Sequence, residues 1–130
     1  MAEPASDPEA IARQVVQAAY DVHAVLGPGL LVSVYEPCLI HELGLRGLGV
    51  ERQVNVAVVY KDIRLDAGLI MDLLVEDRVI VEVKAVEKLL PAHQSRLLTC
   101  LKLSGRRLGL LINFNAPLLK NGIHRLVRPG

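Results

Sequence analysis

The spacing of apolar residues predicts two helices in the first third of the chain. Ser6 begins a capping-box pattern, and Asp7 is an alternative cap for the same helix start. A Gly-Pro-Gly turn at residues 27–29 ends this first helix. A second helix is predicted over residues 30–45, with a kink or local irregularity at Pro37. The first helix buries one stripe, made of Ile11, Val15, Ala18, Val22 and Leu26.

Alternating and continuous apolar runs predict the strands. Valines alternate within a strand over residues 50–60, and a second strand over residues 64–75 follows a turn at Lys61-Asp62. The order of elements is ααβββαβ, which predicts an α/β domain with an optional short C-terminal edge strand. The later elements are a strand over residues 79–85, a helix over 91–103 ended by Gly105, a buried strand over 108–114 and the edge strand over 123–127.

Three charged residues interrupt the apolar strands. Glu82 and Lys84 are two positions apart, so their side chains point to the same face. A three-residue hairpin connection between the two strands would place Leu73 opposite Val81. Asp72 would then lie opposite Glu82. Two carboxylates facing each other are unfavourable unless a cation lies between them, so this arrangement predicts a magnesium site with a lysine beside it.

An ordinary surface strand is the alternative interpretation of the same residues. In that case Glu82 and Lys84 form a solvent-exposed ion pair that contributes roughly 0 to 1 kcal/mol. The spacing of the three charges does not by itself decide between a metal site and a surface pair.

Length and composition favour one compact domain. The chain has 130 residues and is 52% hydrophobic, which predicts a single domain with frayed ends at about residues 1–6 and 128–130. No membrane-spanning run is present, and residues 1–10 lack the order of a signal peptide, so we expect a cytoplasmic protein without membrane contact. Cys38 and Cys100 are expected to be reduced thiols within the core.

Acidic and basic residues are unevenly distributed along the chain. Residues 1–83 hold six Lys or Arg against thirteen Asp or Glu, whereas residues 84–130 hold nine against Glu87 alone. The later cations could form a phosphate-binding rim beside the carboxylates, as a nucleic-acid enzyme requires. The alternative is that folding joins both parts in ordinary surface ion pairs. The cations of the suggested rim are Lys102, Arg106, Arg107, Lys120, Arg125 and Arg128.

Five stretches spread over nearly the whole chain share the motifs of one known family. They are residues 22–36 (VHAVLGPGLLVSVYE), residues 71–87 (MDLLVEDRVIVEVKAVE), residues 91–93 (PAH), residues 110–114 (LLINF) and residues 122–123 (GI). On these stretches the chain resembles the GxxExxY family of the PD-(D/E)xK nuclease superfamily. Together they are far more specific than Asp72, Glu82 and Lys84 alone, which correspond to the acidic and lysine residues of the superfamily signature.

The resemblance implies a restriction-endonuclease-like mixed sheet flanked by helices, and hydrolysis of phosphodiester bonds. Asp72 and Glu82 are implied as ligands of Mg²⁺ or Mn²⁺, together with the backbone carbonyl of Val83. Lys84 is implied as the residue that orients the attacking water or stabilises developing negative charge. The implied partner is a nucleic acid, DNA in preference to RNA, and a homodimer is an open expectation.

The chain departs from the family pattern in its second helix. The glutamate that the GxxExxY motif places three residues after Gly29 is Val32 here, although Gly29 and Tyr35 match the motif. Glu36, one turn later on the same helix face, is the candidate replacement. Glu36 and Tyr35 are therefore auxiliary site candidates.

Further departures lie around the carboxylates. Ile70 replaces an arginine two residues before Asp72, and Arg96 and Cys100 replace a glutamine and a tyrosine of the third helix. His93, Arg96 and Cys100 recur on one helix face, so His93 and Arg96 are candidate phosphate contacts. Two interpretations remain open: a nuclease with altered selectivity, or a domain that has kept the fold, lost efficient catalysis and binds nucleic acid or protein.

Overall fold

The computed structural model describes residues 7–66 and 68–129, and these residues contain three α-helices and a short 3-10 helix at Leu119–Gly122. Helix α1 spans Pro8–Leu26, α2 spans Val32–Leu45 and α3 spans Pro91–Ser104. Ser6 lies outside the described residues, and Asp7 caps α1 by accepting a hydrogen bond from the Glu9 N–H at 3.1 Å. Gly27 and Gly105 end α1 and α3 as predicted, both with positive φ.

Seven strands are described, of which five form the main sheet in the order β1-β4-β5-β6-β7. All neighbours are antiparallel except β5 and β6, which run parallel and are connected through α3. This mixed sheet flanked by helices confirms the predicted α/β class and the C-terminal edge strand. The strands are β1 (Val50–Asn55), β2 (Val58–Tyr60), β3 (Ile63–Leu65), β4 (Ile70–Val75), β5 (Val79–Lys84), β6 (Leu108–Asn113) and β7 (Ile123–Val127).

The prediction of two long strands over residues 50–60 and 64–75 was wrong about their lengths. Each is divided in two, and β2 and β3 form a separate hairpin around the predicted turn at Lys61-Asp62. Among the described residues, the Val56 N–H donates to the Leu69 carbonyl at 2.9 Å, and the Asn55 side-chain amide donates to the Asp66 carbonyl, which joins the segments between the two sheets. Alternating valines continue through the break, so the sequence pattern did not reveal it.

Helices cover the two faces of the main sheet. Helices α1 and α2 pack on one face, in a cluster that includes Leu73, Val81 and Leu110. Helix α3 packs on the other face through Leu97 and Leu101, together with Ile80, Leu111 and other strand residues. The alternation of β5 therefore places Glu82 and Lys84 on the α3 side, since they share the parity of Ile80.

In both β1 and β4, the alternation of side chains between the two faces of the sheet is interrupted at one position, where Gln53 lies opposite Asp72. Their register is continuous, but Gln53 has φ of 52° and faces Asp72 across the strands without a regular pair between them. Leu73 packs with α1 and α2, whereas Met71, two residues earlier, packs with α3. Side chains two positions apart in a regular strand share a face, so β4 twists sharply at Asp72.

A close approach of two backbones follows β6 and gives a test of the packing. An added Cβ at Gly122 would overlap the Asn113 carbonyl oxygen and lie 2.9 Å from the Ala116 Cβ, whereas one at Gly44 would meet nothing within 4 Å. We expect Gly122→Ala to lower the free energy of unfolding by about 2 kcal/mol in urea titrations. Gly44→Ala should instead raise it by up to about 1 kcal/mol, since Gly44 lies in α2. Equal effects would contradict the described packing.

Candidate functional site

Strands β4 and β5 separate where the two carboxylates lie. Regular pairing ends at Leu73 opposite Val81, which is the register that the sequence predicted. Beyond it, side chains bridge the strands: the Asp72 N–H donates to Glu82 Oε2 at 2.9 Å, and the Val83 N–H donates to Asp72 Oδ2 at 3.0 Å. The structure thus brings Asp72 and Glu82 together. The Glu82 carboxylate is bound to the backbone of Asp72, and the Asp72 carboxylate is bound to the backbone of Val83, the residue after Glu82.

Glu82 occupies an unfavourable electrostatic position for an anion. Its side chain is 2% exposed, and burial raises its pKa, with the nearby Asp72 carboxylate adding to the increase. The hydrogen bond from the Asp72 backbone and the charges of Arg96 and Lys84 oppose this by lowering the pKa. A cation is therefore the partner that this carboxylate requires.

Arg96 supplies that partner in the structure. Its Nη1 donates to Glu82 Oε1 at 2.7 Å, and its Nη2 donates to the Ile70 carbonyl at 2.9 Å. The guanidinium therefore spans from β5 to the start of β4 while its side chain remains 41% exposed. Arg96, expected as a phosphate contact, lies against the carboxylate of a candidate metal ligand.

The donor set suits a hard divalent cation with few protein ligands. Asp72, Glu82 and the Val83 carbonyl offer oxygen atoms, and Mg²⁺ is usually held by one or two carboxylates plus waters and substrate phosphates. Within residues 7–66 and 68–129, no three His, Cys, Asp or Glu side chains cluster closely enough to hold a metal. Glu36 therefore does not form a three-carboxylate cluster with Asp72 and Glu82; it is a buried residue of α2 and accepts a hydrogen bond from Arg52 at 3.1 Å.

A family model describes almost the whole chain. The model of the PD-(D/E)XK nuclease superfamily matches residues 9–126. The chain belongs to the PD-(D/E)XK nuclease superfamily. The mixed sheet and flanking helices are consistent with a restriction-endonuclease-like fold. No curated protein and no solved structure matches the chain.

Lys84, which the resemblance implies as the signature lysine, is the last residue of strand β5. Lys84 is half-buried and pairs in register with Asn113 of β6, and its carbonyl accepts a hydrogen bond from the Phe114 N–H at 2.9 Å. Its positive charge contributes to lowering the pKa of Glu82. Lys84 therefore lies beside Glu82 on the same face, as the two-residue spacing predicted.

Helix α3 brings two more of the predicted residues to this region. Cys100 is fully buried one turn after Arg96, and burial followed by the Glu82 charge raises its thiol pKa. His93 accepts a hydrogen bond from the Leu90 N–H through Nδ1 at 2.9 Å, so this nitrogen caps the start of α3. Only Nε2 of His93 remains available as a donor to a substrate.

The Tyr35 side chain supports the Gly-Pro-Gly turn that follows α1. Its hydroxyl donates to the Gly27 carbonyl at 2.5 Å and accepts from the Leu30 N–H at 3.1 Å. The ring is fully buried and stacks on Phe114 with centroids 4.8 Å apart. These contacts hold the Gly-Pro-Gly turn against the end of β6, so the auxiliary candidate Tyr35 has a structural role here.

An asparagine network that the sequence analysis missed holds the segment after Lys84. Asn113 is buried and makes two bonds to the Val86 backbone, accepting its N–H at 3.0 Å and donating to its carbonyl at 2.9 Å. Asn115 Oδ1 accepts from the Gly29 N–H at 3.0 Å, and His23 Nε2 lies 2.9 Å from the Ala116 carbonyl. A buried asparagine ending an otherwise apolar strand was the available signal.

Three cations of the suggested basic rim, Lys102, Arg106 and Arg107, lie away from the carboxylates. Helix α3 runs back along the sheet after β5, so Lys102 near its end and Arg106 and Arg107 beyond it lie toward the opposite end of the strands. Arg106 binds the hairpin between β4 and β5 instead, with Nη2 2.6 Å from Asp77 Oδ1. Lys102 and Arg107 are exposed at this distant end.

Of the helices that the structure describes, none combines the length and apolar character needed to cross a membrane.

The raised pKa of Glu82 predicts a pH dependence of stability in metal-free protein. Its contribution to the free energy of unfolding is fully present below the pKa of the unfolded chain and is lost as pH rises through the folded pKa. Glu82→Gln should therefore reduce the loss of stability that occurs as pH rises above the range in which an ordinary glutamate titrates, measured in urea titrations with a chelator. Glu51→Gln, on the exposed part of β1, is the control. An unchanged pH profile in Glu82→Gln would contradict the unfavourable burial.

Tyr35→Phe separates a structural from a catalytic role of the tyrosine. Loss of the hydroxyl leaves the Gly27 carbonyl and the Leu30 N–H without this partner, so we expect the free energy of unfolding to fall by about 1 kcal/mol. Metal affinity measured by calorimetry, well below the unfolding temperature, should not change. A loss of metal affinity in folded Tyr35→Phe would instead indicate that Tyr35 contributes to metal binding.

Proposed function

We propose that this domain is a metal-dependent nuclease that hydrolyses phosphodiester bonds of nucleic acid. The observation that carries the proposal is the carboxylate pair Asp72 and Glu82, which bridges the separated ends of β4 and β5. Glu82 is buried and Asp72 is half-buried, and two like charges placed together in this way are costly unless a cation is bound beside them. The superfamily's general use of divalent metals supports Mg²⁺ or Mn²⁺ as that cation.

Each residue of the pair has a defined task in this proposal. Asp72 and Glu82 hold the metal with the Val83 carbonyl, and the backbone bonds from the neighbouring strand fix the carboxylates in place. The bound metal would supply Lewis-acid polarisation of a phosphoryl oxygen and a more acidic water. Lys84, on the same face of β5, orients that water or stabilises the negative charge that develops in the transition state.

We also propose that the chain is a divergent member of the GxxExxY family. Gly29 and Tyr35 support this assignment, and the contacts of Tyr35 with the Gly-Pro-Gly turn give two of the motif positions a common structural purpose. Val32 lies where the motif has glutamate, and it packs half-buried against the α1 and α2 cluster. The proposed site therefore relies on two acidic side chains rather than three.

Nucleic-acid backbone is the proposed substrate feature, with DNA preferred to RNA. The chain has no Trp, one Phe and three Tyr, so few rings are available to stack on bases, which favours phosphate contacts. Arg96 and His93 are the proposed contacts near the site, whereas Lys102, Arg106 and Arg107 would meet nucleic acid farther from it. The free cysteines agree with the proposed cytoplasmic location.

A homodimer is a further part of the proposal. One face of the β2–β3 hairpin carries Tyr60 and Ile63 opposite each other, followed by Leu65 opposite Val58. Tyr60, Ile63 and Leu65 are each more than half exposed, so this face supports contact with a second copy.

A catalytically impaired binding module is the second candidate function. It is favoured by the Arg96–Glu82 pair, which satisfies a metal-ligating oxygen without a metal, and by the apolar Val32. This module would bind nucleic acid or a protein partner and would need neither metal nor Lys84.

Cleavage assays with matched variants distinguish the two candidates. We expect Mg²⁺- or Mn²⁺-dependent cleavage of plasmid, single-stranded DNA or RNA by the wild type. Glu82→Gln should abolish metal binding in calorimetry, and Lys84→Met should lower the cleavage rate on the order of 10² to 10³-fold, because transition-state charge loses its stabiliser. Chelator should stop cleavage in every sample.

Substitutions of the same chemical type at exposed positions serve as controls. Glu51→Gln on β1 and Lys61→Met on the β2–β3 hairpin should retain wild-type cleavage. If the wild type binds no metal at millimolar concentration and cleaves none of the substrates, the nuclease proposal is wrong and the binding module remains. Cleavage that survives Glu82→Gln would also contradict it.

A further inference from the structure

The guanidinium of Arg96 closes the opening between β4 and β5. It donates one hydrogen bond to Glu82 Oε1 and another to the Ile70 carbonyl, at 2.7 and 2.9 Å. Planar guanidinium groups hold such two-point positions better than a lysine, because their donors are fixed in a fork. Arg96 is therefore bound at the site by two acceptors on two strands rather than by a single surface contact.

This contact uses an oxygen that a metal would require. Glu82 Oε2 already accepts the Asp72 N–H, and Asp72 Oδ2 accepts the Val83 N–H. With Arg96 on Oε1, both oxygens of Glu82 have a hydrogen-bond donor. Among the described residues, Asp72 Oδ1 is the carboxylate oxygen of the pair without one. A cation entering between the carboxylates thus meets one unoccupied oxygen and one oxygen held by a positive charge.

The charges of the site also oppose the binding of a metal while Arg96 remains beside Glu82. Asp72 and Glu82 carry two negative charges, and Arg96 and Lys84 carry two positive charges, so the group is neutral before any metal enters. A divalent cation placed beside Glu82 would be repelled by a guanidinium that stayed 2.7 Å from the same carboxylate. Metal binding at Glu82 therefore requires Arg96 to move away.

The two partners differ in their freedom to move. Glu82 is 2% exposed and held by the strand backbone, whereas the Arg96 side chain is 41% exposed and belongs to a long flexible residue on α3. Solvent is available to the guanidinium as soon as it leaves the carboxylate. Exchange by rotation of Arg96 is accordingly the route that leaves the carboxylates in place.

We infer that Arg96 is an internal counter-ion that holds the metal-free site closed and that a divalent cation must displace from Glu82. The inference rests on the proposed function, since it concerns the same metal site. Arg96 is a positioning residue in this scheme: it stabilises the metal-free protein and lowers the affinity for metal. The chain binds its metal only at concentrations high enough to compete with its own guanidinium.

Calorimetric titration of Mn²⁺ and Mg²⁺ tests the competition directly. Arg96→Gln removes the charge but keeps a polar side chain of helical preference, and it should bind Mn²⁺ at least about tenfold more tightly than the wild type. Arg96→Lys keeps the charge but cannot span both acceptors, so its affinity should lie between these two. Arg13→Gln, at an exposed position of α1, should match the wild type.

Thermal unfolding gives a readout that does not depend on activity. In chelator, Arg96→Gln should unfold at a lower temperature than the wild type, since Glu82 loses its counter-ion while still buried. Saturating Mn²⁺ should raise the unfolding temperature of Arg96→Gln more than that of the wild type, because tighter binding stabilises the folded state more. Arg13→Gln should show the wild-type response in both conditions.

The outcomes separate the inference from the proposed function. Equal or weaker metal affinity in folded Arg96→Gln, with metal-dependent cleavage by the wild type, overturns the inference and leaves the nuclease proposal standing. Absence of metal binding in both proteins overturns both. If Arg96→Gln does not fold, Arg96→Lys decides the question, and wild-type affinity in that variant overturns the inference.

Discussion

Two acidic side chains at the point where β4 and β5 separate, Glu82 buried and Asp72 half-buried, determine how this region of the domain is built. Neither Asp72 nor Glu82 can face apolar neighbours without compensation, because an unpaired buried charge costs far more than a single exposed contact provides. The structure compensates with backbone donors from the strand pair and with cations on the α3 side. Continued regular pairing would take up these backbone groups, so the strand separation and the carboxylate pair depend on each other.

The sheet explains why these groups meet although they come from distant parts of the chain. Asp72 lies at the twist of β4, and Glu82 and Lys84 follow from the alternation of β5. Arg96 reaches them because α3 begins near the end of β5 and lies on the same face. The connection from β5 through α3 to the parallel strand β6 therefore places the Arg96 guanidinium beside Glu82.

The sequence predicted the fold class, the register of Leu73 with Val81 and the shared face of Glu82 and Lys84, because these depend on local periodicity and hairpin length. It did not predict the break between β1 and β2, since alternation continues through it. Nor did it predict that Arg96 would bind Glu82, or that Glu36 would pair with Arg52. These two ion pairs depend on which long side chains can reach a carboxylate in the folded chain, and spacing along the sequence carries no such information.

Acidic residues of the first part of the chain and basic residues of the second part form ion pairs in the folded structure. Arg106 with Asp77, Arg125 with Glu9 and Arg96 with Glu82 each join a late cation to an early carboxylate. In the first two pairs the carboxylate is at least half exposed, so water can replace the arginine at little cost. Water cannot do so for Glu82, which is buried. Among these three pairs, the Arg96 pair is therefore the one whose opening requires another cation, and this requirement links the electrostatics of the chain to its proposed chemistry.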